Sequence, residues 1–285
     1  MRARRVLRWS ALTFASFLAL AVLALIAGAP VPIVDRFVLF PRSVPVSEWQ
    51  AHPEFTPFAV AARDGTPLRG WIVRGRNPNA PWTILCTGNA GTVKGMIGVG
   101  IWFAEHTGAD ALVWDYRGFG FSGGRADIAA TRDDALVVYD AVRARSRRVP
   151  VVYGQSFGTT IAAHIAHERP VRALVLHAAP VSVEQLFRDL RDRNFPRPFH
   201  RLRPWAAPDV HEDFAVADAV RDVHAPTLVI HGTADALIPI EEGRSVERAS
   251  GARVKQFIEL PGVSHDRIDY NTRAAAGVAA FLAAI

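Results

Sequence analysis

The sequence predicts an α/β fold in which a mostly parallel sheet is covered by helices on both faces. Short apolar runs alternate with helix-length segments from about residue 82 onward. These runs are continuously apolar, as expected for strands that are buried on both sides. Half of the 285 residues are hydrophobic, which is enough for one large domain with a sizeable core.

The N-terminal segment, residues 1–34, is expected to anchor the chain in a membrane. Residues 9–29 carry no charge and could cross the hydrocarbon core of about 30 Å as a helix. The alternative is a cleaved secretory signal, but the apolar run exceeds the roughly 7–15 residues usual for one, and Pro30 would directly follow the cut. With either interpretation, the arginines before residue 9 keep the N-terminus in the cytoplasm and place the remaining chain on the non-cytoplasmic side.

The charge and the cysteine content exclude several classes of protein. Most of the net charge of +6 comes from the four arginines before the apolar segment, namely Arg2, Arg4, Arg5 and Arg8. Nucleic-acid binding needs clustered positive charge, so no nucleic-acid partner is expected. One cysteine, Cys86, excludes a disulfide framework and a CxxC redox motif. No cofactor and no metal are expected, and the sequence does not indicate an oligomeric state.

Residues 35–285 are predicted to form one domain. Its first two strands, 55–62 and 67–74, are joined at Asp64-Gly65, a dipeptide typical of hairpin turns. The later strands are predicted at 82–87, 111–116, 150–154, 171–177, 226–232 and 254–260. Helices are predicted near 92–106, 128–146, 156–168, 239–250 and 266–284.

Residues 181–214 interrupt the alternation and are rich in Arg, Phe and Pro. We interpret them as a small cap inserted over the carboxyl edge of the sheet, where ligands of open α/β sheets bind. Their aromatic residues could line an acyl pocket or could form the core of the cap itself. The candidates are Phe187, Phe195, Phe199, Trp205 and Phe214.

The pentapeptide 154–158, Gly-Gln-Ser-Phe-Gly, lies between a predicted strand and a predicted helix. In this context the serine occupies a sharp turn that exposes its hydroxyl, so Ser156 is the candidate nucleophile. The backbone N–H of Phe157, at the start of the helix, would point to the place where an oxyanion forms.

A serine nucleophile needs a base, and the base needs a group that orients it. Asp235 follows the strand 226–232, and His265 follows the strand 254–260. Both fall on the same predicted edge as Ser156, in the order Ser, acid, His. His231 ends a strand beside the acid and is interpreted as a packed, hydrogen-bonded histidine.

The small residues 87–91 after the third predicted strand offer a second oxyanion donor. Asn89 is the first candidate, and Ala90 is the alternative. The segment 118–123 fits G-x-G-x-x-G, but no helix follows it directly and an earlier strand–helix unit precedes it, so a dinucleotide site is not predicted.

Together these motifs resemble the α/β-hydrolase superfamily, in particular its membrane-anchored serine hydrolases. The resemblance rests on five segments, 87–91, 115–123, 154–158, 231–235 and 262–265. It implies an α/β-hydrolase fold with Ser156 as nucleophile, His265 as base and Asp235 as the residue that orients it. Members of the family usually have a His-Gly dipeptide in the oxyanion loop, where this chain has Thr87.

The expected function is hydrolysis of a carboxylic ester or thioester through an acyl-enzyme, with a small-molecule or lipid acyl substrate. Amide and peptide substrates remain open. The alternative from another class is a catalytically silent binding or scaffolding protein that kept the fold, since a fold does not define a function.

Overall fold

An eight-stranded sheet organises the computed structural model, which describes residues 41–182, 185, 215–265 and 272–285. Elements are numbered in chain order within these residues. The strands are β1 Thr56–Ala61, β2 Pro67–Val73, β3 Thr83–Cys86, β4 Ala111–Trp114, β5 Val151–Gln155, β6 Ala173–His177, β7 Thr227–Gly232 and β8 Lys255–Leu260. The helices are α1 Val46–Ala51, α2 Val93–Thr107, α3 Ile128–Ser146, α4 Gly158–Glu168, α5 Val216–Ala219, α6 Ile240–Ala249 and α7 Thr272–Ala283.

The strands follow the order β1-β2-β4-β3-β5-β6-β7-β8 across the sheet. β1 pairs antiparallel with β2 and β2 antiparallel with β4, and the remaining pairs are parallel. The predicted hairpin is confirmed. At its turn Gly65 has a φ of 84°, and the Asp64 carboxylate accepts from the N–H of Thr66 at 2.9 Å.

Helices cover both faces of the sheet, as predicted. Leu174 and Val175 are neighbours in β6 but belong to two different apolar clusters, because successive side chains of a strand point to opposite faces. The Leu174 cluster includes residues of α3, α4 and α6, and the Val175 cluster includes residues of α2 and α7. The inner strands β3, β4, β6 and β7 are buried along their whole length because each side meets a helix layer. The edge strands β1 and β8 have exposed residues.

The predicted strand 111–116 is two residues too long, because β4 ends at Trp114. The carboxylate of the next residue, Asp115, accepts from the N–H groups of Val93 and Phe121 at 2.7 and 2.8 Å. The Asp115 N–H still donates to the Arg69 carbonyl oxygen of β2 at 2.9 Å, whereas its side chain holds the start of α2 and the glycine-rich loop, and the chain leaves the sheet after this residue.

Two predicted features fall outside the described residues. The membrane segment 9–29 lies there entirely, and the cap 181–214 lies there except for its first two residues and Gln185. No helix within the described part of the chain is both long and apolar enough to cross a membrane.

Candidate active site

Ser156 occupies a sharp turn between β5 and α4. Its φ of 52° lies in the left-handed region that non-glycine residues rarely adopt. Its N–H donates to the carbonyl oxygen of His177 at 2.8 Å, which ties the turn to the end of the adjacent strand β6. The strand–turn–helix context that the sequence predicted for Ser156 is confirmed.

The two glycines of the pentapeptide are required by close packing. A Cβ on Gly154 would lie 2.4 Å from the carbonyl oxygen of Gly158. A Cβ on Gly158 would lie 2.2 Å from the carbonyl oxygen of Cys86. Both distances are far below van der Waals contact, so the turn can only form with glycine at these positions.

The imidazole of His265 lies between Ser156 and Asp235. Its Nε2 is 3.0 Å from Ser156 Oγ, and its Nδ1 is 2.7 Å from Asp235 Oδ2. The three residues follow β5, β7 and β8, whose carboxyl ends share one edge of the sheet. Since a carboxylate only accepts, Nδ1 carries the proton in this contact and Nε2 can accept from the serine hydroxyl.

The Asp235 side chain is fully buried, yet its carboxylate is well supplied with donors. Oδ1 accepts from the N–H groups of Leu237 and Ile238 at 2.9 and 2.8 Å. Burial by itself would raise the pKa of Asp235, but hydrogen bonds from His231, His265 and the backbone outweigh burial and hold this pKa well below its usual range. Asp235 is therefore ionised at neutral pH.

His231 supports the loop that carries Asp235. Its ring is completely buried, and its Nε2 is 2.9 Å from the carbonyl oxygen of Ile238 and 3.5 Å from Asp235 Oδ2. Because both neighbouring atoms are acceptors, Nε2 carries the proton. The prediction of a packed, hydrogen-bonded histidine is confirmed.

The loop after β3 lies directly beside the serine. A Cβ on Gly88 would be 3.5 Å from the Cβ of Ser156. Ala90 has a φ of 61°, and its N–H donates to the side-chain oxygen of Asn89 at 2.9 Å. The Ala90 amide is thus engaged inside the loop, and Phe157 lies at the N-terminus of α4 on the other side of Ser156.

Tyr116 braces this loop, a role that the sequence did not reveal. Its buried hydroxyl donates to the carbonyl oxygen of Thr87 at 2.8 Å. The brace comes from the segment after β4, so it does not depend on a histidine at position 87. The sequence signal for Tyr116 was its position in a polar run directly after an apolar strand, at the predicted edge that also carries Ser156.

The glycine-rich segment 118–123 wraps around Asp115. A Cβ on Gly120 would lie 2.0 Å from Asp115 Oδ2, so only glycine fits there. Burial raises the pKa of Asp115 to about 6, although the N–H groups of Phe121 and Val93 act against that rise. The glycines therefore have a structural explanation in the packing around this carboxyl group.

His177 is a second residue that the sequence did not single out. It is buried at the end of β6, and its Nδ1 is 2.7 Å from the Tyr153 hydroxyl. Burial, together with the nearby His231 and His265, lowers the pKa of His177 to about 3. The sequence signal for it was a polar residue at the end of a predicted apolar strand.

Possible metal ligands do not cluster in the described ranges. No group of three or more His, Cys, Asp or Glu side chains within those ranges could hold a metal ion. His164 is instead buried against Arg132, with Nδ1 3.2 Å from the guanidinium.

The sheet order, the helices on both faces and the serine turn define the α/β-hydrolase fold. The family described as serine aminopeptidase, S33 (Hydrolase_4) matches residues 84–217. This range includes the serine turn and the loop after β3, and it ends before Asp235 and His265.

The chain is similar to several known proteins, and one solved structure has the same fold. The chain is 27% identical to the uncharacterized protein Rv2307c of Mycobacterium tuberculosis over 258 residues, which cover 86% of both chains. It is 34% identical to the human protein ABHD12B over 175 residues, which cover 56% of this chain and 48% of the human one. The Pyrococcus furiosus esterase Pf2001 superimposes with a TM-score of 0.67 at 18% identity and covers 87% of this chain and 98% of its own.

Proposed function

We propose that the protein is a serine hydrolase that cleaves carboxylic esters or thioesters through an acyl-enzyme. One observation carries the proposal: a continuous chain of contacts joins Ser156 Oγ, the His265 ring and the buried carboxylate of Asp235. Such a chain makes a serine hydroxyl nucleophilic, because the base can take its proton and the acid stabilises the imidazolium that results.

The first step forms the acyl-enzyme. His265 Nε2 takes the proton of Ser156 as Oγ attacks the carbonyl carbon of the substrate. The bond to the leaving alcohol or thiol then breaks, and the leaving group takes the proton from His265. Asp235 remains ionised throughout, since its pKa is held low.

The second step releases the acid. His265 takes a proton from water, the resulting hydroxide attacks the acyl carbon, and Ser156 regains its proton as the bond to Oγ breaks. In both steps the negative oxygen is assigned to the N–H groups of Phe157 and Asn89. Asn89 is the first candidate for the second donor, and Ala90, whose N–H donates to the Asn89 side chain in this structure, is the alternative. Losing one such donor typically costs about 10²–10³ in rate.

An ester substrate is favoured because a solved protein of the same fold is named an esterase. A peptide or aminoacyl substrate is the second candidate, since the matching family is described as serine aminopeptidase. Ester leaving groups depart more readily than amines, so an enzyme of either kind should turn over an activated ester.

The test compares Ser156→Ala with the unchanged chain. Turnover of a p-nitrophenyl ester and labelling by a fluorophosphonate probe should both disappear in the variant, because only an activated serine reacts with either. The matched control is Ser122→Ala, a serine on the Asp115 loop that does not contact His265.

An aminoacyl p-nitroanilide, assayed in parallel, distinguishes the two substrate classes. Undiminished turnover by Ser156→Ala would refute the proposal, and a wild-type chain that neither turns over esters nor takes the label would favour a silent binding protein.

The location of the enzyme is part of the proposal. Residues 9–29 would anchor the chain, leaving the catalytic domain on the non-cytoplasmic side and near lipid acyl substrates. Alkaline carbonate extraction of membranes should leave the full chain in the pellet, and deletion of residues 1–34 should release it. Protease added from the cytoplasmic side should then leave the domain intact, and its digestion there would reverse the proposed orientation.

A further inference from the structure

A long groove runs between α2 and α7 and reaches the C-terminal end of α3 at the amino edge of the sheet. It consists of two adjoining cavities of about 540 and 680 Å³. His106 of α2 and Ala279 of α7 line both of them. The site described above does not use this space, because none of Ser156, Asp235 and His265 lines either cavity.

The inner cavity is mostly apolar, and its polar lining residues are His106, Tyr153 and His177. Val99, Trp102 and Phe103 of α2 form one wall, the alanines and Val278 of α7 form the other, and Ile230 lies in the floor. The space exists because α7 presents small side chains here, and its Gly277 is packed tightly against Ile258. Such a chamber suits a hydrocarbon chain, and its volume falls in the usual range for ligand pockets.

The outer cavity is basic. It opens at the amino edge of the strands, opposite the catalytic edge, and its guanidinium groups come from α3, the loop after it and the segment that leads into β6. They are Arg143, Arg147, Arg148 and, directly before β6, Arg172. Arg172 already donates to the carbonyl oxygen of Ile285 at 2.6 Å, so an anion is assigned to the arginines of α3 and the loop after it. No acidic side chain is among the described residues that line it. The Arg143 side chain interacts with Tyr139, whereas Arg147 and Arg148 are exposed at the mouth of the cavity.

The two ends of the groove differ in charge at neutral pH. Arginine remains protonated in proteins, so the outer end is cationic. At the inner end His177 is neutral, because burial lowers its pKa to about 3. An occupant should therefore place an anionic group at the arginines and an apolar body between the helices.

We propose that this groove binds the anion of a long-chain fatty acid, with its carboxylate at the arginines and its acyl chain between α2 and α7. Charge complementarity at one end and an apolar chamber at the other select this ligand over a neutral lipid or a small inorganic anion. The proposal goes beyond the hydrolase function and does not depend on it.

The test uses the full chain in phosphatidylcholine nanodiscs, carrying Ser156→Ala so that hydrolysis plays no part. A palmitic acid analogue with a diazirine is photo-crosslinked, and the labelled peptides are identified by mass spectrometry. Labelling should map to α2 and α7. Palmitate should compete at least tenfold better than hexadecanol, which has the same chain but no charge.

Two pairs of variants localise the ligand. Ala279→Trp should fill the junction of the two cavities and abolish the label, whereas Ala280→Trp, at an exposed position on the same helix, should not. Arg147→Gln with Arg148→Gln should weaken palmitate competition at least tenfold. Arg145→Gln should leave it unchanged, because Arg145 lies over the Phe58 ring instead.

Equal competition by hexadecanol, or labelling that maps elsewhere, would overturn the proposal. Labelling that survives the double arginine change at full affinity would do the same. These arginine variants lie on the surface and keep the test valid even where the tryptophan variant fails to fold. Since every sample already lacks the nucleophile, the result is independent of whether the chain is a hydrolase.

Discussion

Gly243 of α6 touches the ring of His231 so closely that a Cβ on the glycine would lie 2.3 Å from Nδ1. This contact fixes the ring from one side, and the bond from Nε2 to the Ile238 carbonyl oxygen fixes it from the other. The loop that presents Asp235 to His265 is therefore held by a helix outside the catalytic residues. Packing at α6 and the position of the catalytic acid are coupled.

Gly243→Ala should lower both stability and turnover. At an exposed helix position this change would raise the free energy of unfolding by about 1 kcal/mol. Overpacking a buried ring lowers it by about 1–3 kcal/mol, so the variant should be less stable. The displaced His231 should also disturb Asp235 and lower kcat tenfold or more. Urea unfolding and ester kinetics measure the two effects.

Gly95→Ala is the control, because no atom lies within 4 Å of a Cβ there, and it should stabilise the protein without changing kcat. Identical behaviour of the two variants would contradict the packing argument.

Tyr116→Phe should lower kcat more than it raises KM. The change leaves the buried Thr87 carbonyl oxygen without its donor at 2.8 Å, which costs about 1–3 kcal/mol and loosens the proposed oxyanion loop. Tyr139→Phe is the matched control, since that hydroxyl donates to the Pro170 carbonyl oxygen far from Ser156. Both variants should lose stability in urea unfolding, and only Tyr116→Phe should lose turnover. A loss of kcat in both would mean that the loop brace has no special role.

The sequence was sufficient to place the candidate catalytic residues because each follows a predicted strand at its carboxyl end. Once Ser156, Asp235 and His265 are assigned to the same edge of a parallel sheet, their proximity follows from topology. The requirement for glycine at positions 154 and 158 could also be predicted, because a strand that is followed directly by a helix brings the two backbones into close contact.

Contacts between distant segments could not be read from the sequence in this way. Tyr116 reaches Thr87, and Gly243 reaches His231, only because the strand order brings their loops together. Neither local propensity nor hydrophobic periodicity contains that order. His177 was missed for a related reason: its burial depends on Tyr153 of the adjacent strand, and the sequence gives no sign of which strands are adjacent.

Asp235→Asn should retain the loop but abolish most activity. An amide oxygen can still accept from the N–H groups of Leu237 and Ile238. The amide nitrogen, however, is a donor, and it would favour the His265 tautomer whose Nε2 carries the proton. A loss of roughly 10³–10⁴ in kcat is expected from a wrong tautomer. Asp140→Asn, which removes only an exposed partner of Arg169, should keep full turnover. Ester kinetics test this prediction, and a loss in kcat below tenfold for Asp235→Asn would exclude Asp235 as the residue that orients His265.

His177 should make the stability of the protein fall as the pH drops below neutrality. In the unfolded chain this histidine binds a proton with the ordinary histidine pKa of 6.5, but in the folded protein burial lowers the pKa to about 3. Between these values the unfolded state binds more protons, so stability rises with pH, and the contribution is lost progressively as the pH falls from 6.5 toward 3. The slope from this one group is about 1.4 kcal/mol per pH unit.

His177→Phe removes the titrating group, so the free energy of unfolding should depend less steeply on pH in this variant. Urea unfolding at about pH 5, 6, 7 and 8 gives the slopes, and His167→Phe on the exposed side of α4 controls for the loss of a histidine as such. The prediction fails if His177→Phe and the unchanged chain lose stability in parallel below pH 6.5.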